Sequence, residues 1–544
     1  MMKRRFFASV LSAALVFGAV ASFTGCGKEQ GASAENGVNS AAGKEAGAKE
    51  NATAADKEAA DKVAKLIDAI YVQKKTDTTE ADCKAAKAAW DALSDTQKAL
   101  VEGEFADPDY FGRDTGDATM DDPLNSDKEC DKEILVVSFG TSFNGSRVID
   151  IGGVEKAITK AFPDYVVRRA FTSQIIINHI LARDGEKIDN VEEALERAKK
   201  SGVKELIVQP THLMHGAEYD ELTETLSGYK DSFETIKLAE PLLGNDGADG
   251  TIAPEKTEVA KAVVYNTLYA CGFDTLEEAM EKKRAFVLVG HGTSHLAKAA
   301  YKKMQDVMDG LSYENVFIGT VEGEPEETSC ENIIKEVVDK GYESVTLRPL
   351  MVVAGDHANN DIAGDDEDSW ISMFREAGIK NLDCVVNGLG NIEAIQDIYV
   401  SHTADAAGIS PQKSANENGV QKNGELENGV YKAKFTTDSS MFHVNEADKG
   451  LGVLTVRPGN NMRIKVNLSS KNIINLYAGK AADAENDKEN WINPKEAEVT
   501  YPDGTKETVY SFEIPVPALD KDFDVAILGT KGKWYDHVCK VELA

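Results

Sequence analysis

Three side chains past the middle of this 544-residue chain, His291, Glu322 and His357, share one local setting. Each stands just beyond a short apolar run: AFVLVG before His291, NVFIGTV before Glu322, and SVTLRPLMVVAGD before His357. An apolar run that stops at glycine and a polar residue and then enters a helical pattern reads as strand, tight turn, helix. In an open parallel sheet, side chains past the strands' carboxyl ends line the crevice where ligands bind. Two neutral imidazoles and one carboxylate converging there suit a borderline divalent metal such as cobalt, nickel, iron or zinc. Each of the three taken singly reads equally well as a strand-end cap or a hydrogen-bonding partner. The glycines on either side of His291 are expected to leave room for a large flat ligand.

The elements that must position these residues occur twice. EILVVSFGTS (133–142) resembles AFVLVGHGTS (285–294), which sets Phe139 opposite His291. GVKELIVQPTHLMHGAEYD (202–220) parallels GYESVTLRPLMVVAGDHAN (341–359), which sets Glu218 opposite His357. Each half alternates short apolar strands with amphipathic helices, a pattern that calls for right-handed βαβ units and a mainly parallel sheet. The expected core is therefore α/β, two similar flavodoxin-like lobes over 130–275 and 276–407 with the site between them. His212, His215 and Glu218 of the first half are further candidates to line that cleft, or plain polar residues after a strand.

At these residues the chain resembles the anaerobic-type sirohydrochlorin cobaltochelatases, the class II chelatases that insert Co2+ into a tetrapyrrole without ATP. GHGTSH, the VEG turn and PLMVVAGDHANNDIAGDDEDSW carry the resemblance. It extends back through RAFTSQIIINHILARDG to EILVVSFGTSF and forward to NGLGNIEAIQDIYVSH. It implies that His291, Glu322 and His357 hold the metal. His291 and His357 would also accept the two pyrrole protons displaced from sirohydrochlorin or a related tetrapyrrole, since neutral imidazole is both a ligand and a base near neutrality.

The ends of the chain differ in character. Lys3, Arg4 and Arg5 precede an apolar stretch to Phe23 and then Thr-Gly-Cys, a secretory signal of lipoprotein type over 1–26 with Cys26 as the lipidated residue. An extracytoplasmic protein anchored to the bacterial membrane is expected. That setting keeps a different function open: a surface lipoprotein that binds or passes on a metal or haem-like tetrapyrrole without turnover. Residues 27–57, rich in Ala, Gly, Lys, Glu and Asn, read as a flexible tether, and 58–125 as a small helical segment with Trp90 in its core. Residues 408–427 read as a linker. From 428 to 544 the period changes to two, as expected for a β-sandwich. Its GVYKAKFTTDSSM and KWYDHVCKVEL resemble near-iron-transporter haem-binding domains, which implies Tyr535 as a haem ligand, although Cys539 stands where a second Tyr is usual. Six further cysteines are scattered without a CxxC. With 92 acidic against 60 basic residues, a net charge of −32, nucleic acid is excluded as a partner, because phosphate contacts need a positive surface.

Overall fold

The computed structural model describes residues 52–247, 250–273, 275–411, 429–439, 442–457, 461–469, 471–485, 487–501 and 505–544. The expected signal with Cys26, most of the tether and most of the linker lie outside the described residues. Two compact units divide the chain. One holds the N-terminal helices and both parallel sheets, and the other holds the C-terminal sheet with residues 264–278.

The first lobe is built on β1 (Lys132–Ser138), β2 (Val166–Phe171), β3 (Glu205–Pro210) and β4 (Thr235–Leu238). These pair in the order β2-β1-β3-β4, all parallel. The second lobe repeats the order with β5 (Arg284–Gly290), β6 (Val316–Thr320), β7 (Ser344–Pro349) and β8 (Asn381–Cys384), arranged β6-β5-β7-β8. The central strands are buried on both faces, as helix-covered parallel sheets require, which is why they read as unbroken apolar runs rather than alternating ones. Phe139 and His291 are each the first residue past the central strand of their sheet. Glu218 and His357 occupy matching places after β3 and β7, each of which ends in proline. The internal repeat is thus a repeat of topology.

The lobes are laced together. The helix Glu393–Ala407 ends the second lobe but packs on the first, where Tyr399 donates its hydroxyl to the Thr211 carbonyl at 3.0 Å and Thr403 donates to Gln209 at 2.8 Å. The N-terminal helices Ala54–Ile70 and Thr79–Asp91 form a hairpin whose core includes Trp90, as expected, together with Leu181 and Ala182 of the first lobe. The first helix begins at Ala54, capped by Thr53, so the helical pattern starts inside the span assigned to the tether.

The C-terminal unit pairs β9 (Gly429–Thr437), β10 (Leu451–Arg457), β11 (Asn461–Asn467), β12 (Ile473–Tyr477), β13 (Lys495–Thr500), β14 (Lys506–Val516), β15 (Asp522–Gly529) and β16 (Trp534–Leu543). Instead of two separate sheets, one antiparallel sheet runs in the order β12-β15-β16-β9-β10-β11-β14-β13. Leu476 on β12 and Ile514 on β14, near opposite ends of that order, share one hydrophobic core, so the sheet bends over itself. The six described cysteines form no disulfide.

His179, on the first-lobe helix Gln174–Asp184, joins the N-terminal hairpin to the lobe. Its ring stacks on Tyr110 with centroids 4.4 Å apart and meets Phe111 edge-on at 5.8 Å. Burial pushes its pKa down to about 3, so it is neutral in the folded protein. The unfolded chain takes up that proton from about pH 6.5 downward, so the stability from this neutral ring is whole above that pH and is lost as pH falls toward 3, by about 1.4 kcal/mol per unit. Between pH 7 and pH 5 the loss of stability measured by urea unfolding should therefore be about 2 kcal/mol smaller in His179→Phe than in the wild type.

Candidate metal centre

His291 leaves the end of β5 in a turn that two glycines make possible. Gly292 has φ +93°, and a Cβ there would stand 2.8 Å from the Cβ of Glu322; a Cβ on Gly290 would stand 2.3 Å from the Tyr301 ring. The room these glycines provide is filled by the protein's own Tyr301 and Glu322 turn, not reserved for a flat ligand as the sequence suggested. Tyr301 in turn accepts the Gly292 N–H at 3.1 Å. Pairing also continues past the strands: Val321 donates to the Gly290 carbonyl and Glu322 to the His291 carbonyl, both at 2.9 Å. This fixes the Glu322 backbone beside His291.

His357 lies in a short helical stretch that begins at Asp356 and passes into the π-turn Ala358–Ile362. The loop carrying it is held from the first lobe. Ser146 donates to the Ala354 carbonyl at 2.6 Å, and the buried carboxylate of Asp150 accepts the Ala354 N–H at 2.9 Å. Burial pushes Asp150 up to about 6, partly offset by the backbone N–H groups of Ala354 and Gly388. Asp150 thus joins the loops after β7 and β8 to the other lobe.

These constraints set two imidazoles opposite each other. The His291 and His357 Nε2 atoms are 3.1 Å apart, with the rings nearly perpendicular at 83°. His291 Nδ1 lies 2.8 Å from the Gly292 carbonyl, and His357 Nδ1 lies 2.6 Å from the Asp361 carboxylate. Both outer partners are acceptors, so in the neutral rings the protons sit on the Nδ1 atoms and both Nε2 atoms are left as acceptors, while a further proton on His357 is shared as an Nε2–H···Nε2 hydrogen bond. Two such acceptors can share either one proton or one metal ion. An ion at the usual 2.0–2.1 Å from each nitrogen would subtend an N–metal–N angle of about 100°, within reach of tetrahedral and octahedral coordination. Burial and then the charge of His357 hold His291 below the ordinary imidazole pKa. For His357 burial acts in the same direction, but the hydrogen bond and charge of Asp361, with Asp356 and Glu322, outweigh it and raise the pKa. The pair therefore divides into a neutral member and a basic one.

Glu322 is exposed. Its charge is felt at both imidazoles, yet among the described residues no three His, Cys, Asp or Glu side chains stand ready to close on one ion. A carboxylate is better solvated by water than by two neutral rings, so the structure brings the histidines together and leaves Glu322 beside them. In the first lobe, Glu218 is close enough for its charge to act on His291, His212 and Tyr301. His212 is pushed down to about 4 by burial, and among the described residues neither ring nitrogen has a hydrogen-bond partner. His215 is engaged elsewhere, 2.7 Å from Glu240 and against the Tyr219 ring. Of the three proposed cleft residues, Glu218 acts on His291 of the pair, and His215 is held at Glu240 instead. Sequence reasoning passed over Asp361 and Asp150. His-x-x-x-Asp spacing on one helical turn was a readable signal for Asp361, whereas nothing local marks Asp150.

Residues 132–408, half of the chain, match the family described as Cobalt chelatase (CbiK). The chain belongs to the cobalt chelatase family. It is 32% identical over 284 residues to the sirohydrochlorin cobaltochelatase of Salmonella typhimurium, an alignment that covers 52% of this chain and 99% of that protein. It is 28% identical over 277 residues to the sirohydrochlorin cobaltochelatase CbiKC of Nitratidesulfovibrio vulgaris, covering 51% of this chain and 90% of that one. Among solved structures, SirB from Bacillus subtilis with Fe3+ aligns over 51% of this chain and 96% of its own at 14% identity and a TM-score of 0.37. The paired histidines lie within the matched residues of this cobalt chelatase family member.

Asp361 fixes the tautomer and ring angle of His357, and such outer partners typically account for 10–100-fold in metal affinity. Calorimetric titration with Co2+ should show Asp361→Asn binding about 10-fold or more weakly than wild type.

Proposed function

We propose that this chain inserts Co2+ into sirohydrochlorin, the activity that the names of its curated relatives give for them, and that it does so without ATP in a cobalamin-type biosynthetic reaction. The observation that carries the reading is the pair of imidazole Nε2 atoms brought within 3.1 Å of each other, a donor set that one cation can bridge. In this reading His291 and His357 hold the incoming metal, and Glu322 swings from solvent to supply the third donor and offset its charge. Two donors and a mobile third hold an ion less tightly than a closed cage, which suits a metal that must be handed over. The macrocycle loses two pyrrole protons as the metal enters. His357, whose basicity Asp361 raises, is the first acceptor, and His291, held below the ordinary imidazole pKa, is the second. Ni2+, Fe2+ and Zn2+ fit the same nitrogen and oxygen donors and should compete with Co2+. Following the absorption of sirohydrochlorin as Co2+ is added tests the reading. His291→Ala and His357→Ala should each slow insertion by about 100-fold or more while melting within a few degrees of wild type, because the two side chains serve the ion rather than the core. Wild-type rates in both variants would discard the site.

The Lys-Arg-Arg, apolar and Gly-Cys pattern of residues 1–26 supports an extracytoplasmic, lipid-anchored location through Cys26. Cys26→Ala should move the protein from the membrane fraction to the soluble one.

A tetrapyrrole role for the C-terminal sheet is favoured by one observation. Tyr535 on β16 is 48% exposed and lies on the strand face that also carries buried Cys539 and Val541. A phenol at the edge of an apolar core fits a haem iron and its ring, and Cys539, packed in the core, is not the supporting ligand. Haem titration of Tyr535→Phe should lose the absorption change seen with wild type.

A further inference from the structure

The stretch that matches the cobalt chelatases begins at residue 132, and the Salmonella relative is covered to 99% of its length without an equivalent of the N-terminal helices. Those added residues nevertheless reach the metal loop. Arg113 Nη1 lies 3.5 Å from the Asn360 side-chain oxygen and 3.7 Å from an Asp356 carboxylate oxygen, and the Asn360 amide donates to the same Asp356 oxygen at 2.7 Å. Asp356 directly precedes His357, and Asn360 directly precedes Asp361, which fixes the His357 ring. One guanidinium therefore touches the residue on the near side of each member of the His357–Asp361 pair.

Arg113 is itself anchored to the first lobe. Upstream, Tyr110 and Phe111 pack on His179. Downstream, Gly145 donates to the Thr115 carbonyl at 2.7 Å and the Asn144 amide donates to the Gly116 carbonyl at 3.1 Å. Further on, buried Asp121 accepts from Arg147 at 2.6 Å and from Arg169 at 2.6 and 2.9 Å. A side chain fixed on one lobe thus holds the turn that presents a ligand on the other. It also brings a cation to a turn crowded with the carboxylates of Asp356 and Asp361.

We propose that the added N-terminal segment is a brace in cis for the metal loop, and that Arg113 is a positioning residue that sets the angle at which His357 meets the metal. The proposal rests on cobalt insertion by the His291–His357 pair. It predicts a defect in metal handling, not in folding: without the guanidinium the turn 356–361 loses its tie to the first lobe and the imidazole spacing relaxes.

The test uses the full chain as wild type, Arg113→Gln and Arg113→Lys. Three quantities are measured: Co2+ affinity by calorimetry, the visible ligand-field spectrum of the Co2+ complex, and the KM for Co2+ against kcat in the sirohydrochlorin assay. Thermal melting reports on folding. Arg113→Gln should bind Co2+ about tenfold more weakly, raise KM for Co2+ by a similar factor with kcat little changed, and alter the ligand-field bands, while Arg113→Lys recovers part of the affinity. Wild-type affinity and spectrum in Arg113→Gln would overturn the brace. So would a loss of affinity that merely tracks a fall in melting temperature with the spectrum unchanged. Failure of the wild type itself to bind or insert Co2+ would instead overturn the underlying functional reading, and that outcome is separate because it does not involve Arg113. Should Arg113→Gln fail to fold, Asn360→Ala removes one of the two Arg113 contacts from the other lobe, and a weakening of Co2+ binding with an altered ligand-field spectrum is again expected.

Discussion

The opposition of two imidazole nitrogens at 3.1 Å is the constraint on which the rest of the catalytic unit depends. Two partly buried imidazoles meet at that distance only if the surroundings fix both rings. His291 is fixed by the Gly292 carbonyl and by a turn that only glycine can make. His357 is fixed by Asp361 one helical turn away and by a loop bound from the facing lobe through Ser146 and Asp150. Each restraint is ordinary. Together they hold a geometry that neither ring would adopt alone and that a divalent ion can bridge.

The duplicated lobes have divided the work. The position of His291 in the second lobe belongs to Phe139 in the first, and that of His357 belongs to Glu218. The first lobe contributes support: Asp150 and Ser146 grip the loop after β7, and Tyr399 of the second lobe returns to bind the turn after β3. A site shared in this way requires the lobes to stay in register, and the exchanged helix Glu393–Ala407 meets that requirement with buried apolar surface and buried hydrogen bonds. The N-terminal hairpin extends the same logic, since it buries its own core against one lobe and reaches the other through a guanidinium.

Charge acts locally in this protein. The net charge of −32 says little about the centre, whose behaviour comes from a few groups in a poorly solvated cleft. His291 is disfavoured as a cation by burial, while His357 is favoured by Asp361 in spite of it. One centre thus offers a neutral nitrogen and a basic one, the combination that receiving a metal and then a proton requires. Glu322, left in water, retains the freedom to approach when a cation makes its own dehydration favourable.

The sequence by itself determined the strands, the two-fold repeat, the three residues past the strand ends and the family, because burial on both faces writes unbroken apolar runs and because glycine and histidine in a turn are local statements. It also indicated, through His-x-x-x-Asp spacing, an orienting carboxylate that went unread. Only the tertiary structure decided which donors meet. Whether His291 and His357 face each other depends on side-chain torsions and on contacts made more than 200 residues away, such as Asp150 with Ala354. The same holds for His215, drawn to Glu240 instead of the cleft, and for Arg113, whose partners lie 243 and 247 residues further along the chain. It holds too for the C-terminal unit, where the period of two predicted strands but left open that they close as one sheet bent over a single core. Periodicity reports how each segment is buried. Which segments bury one another is fixed by packing across the whole fold, and local sequence carries no record of it.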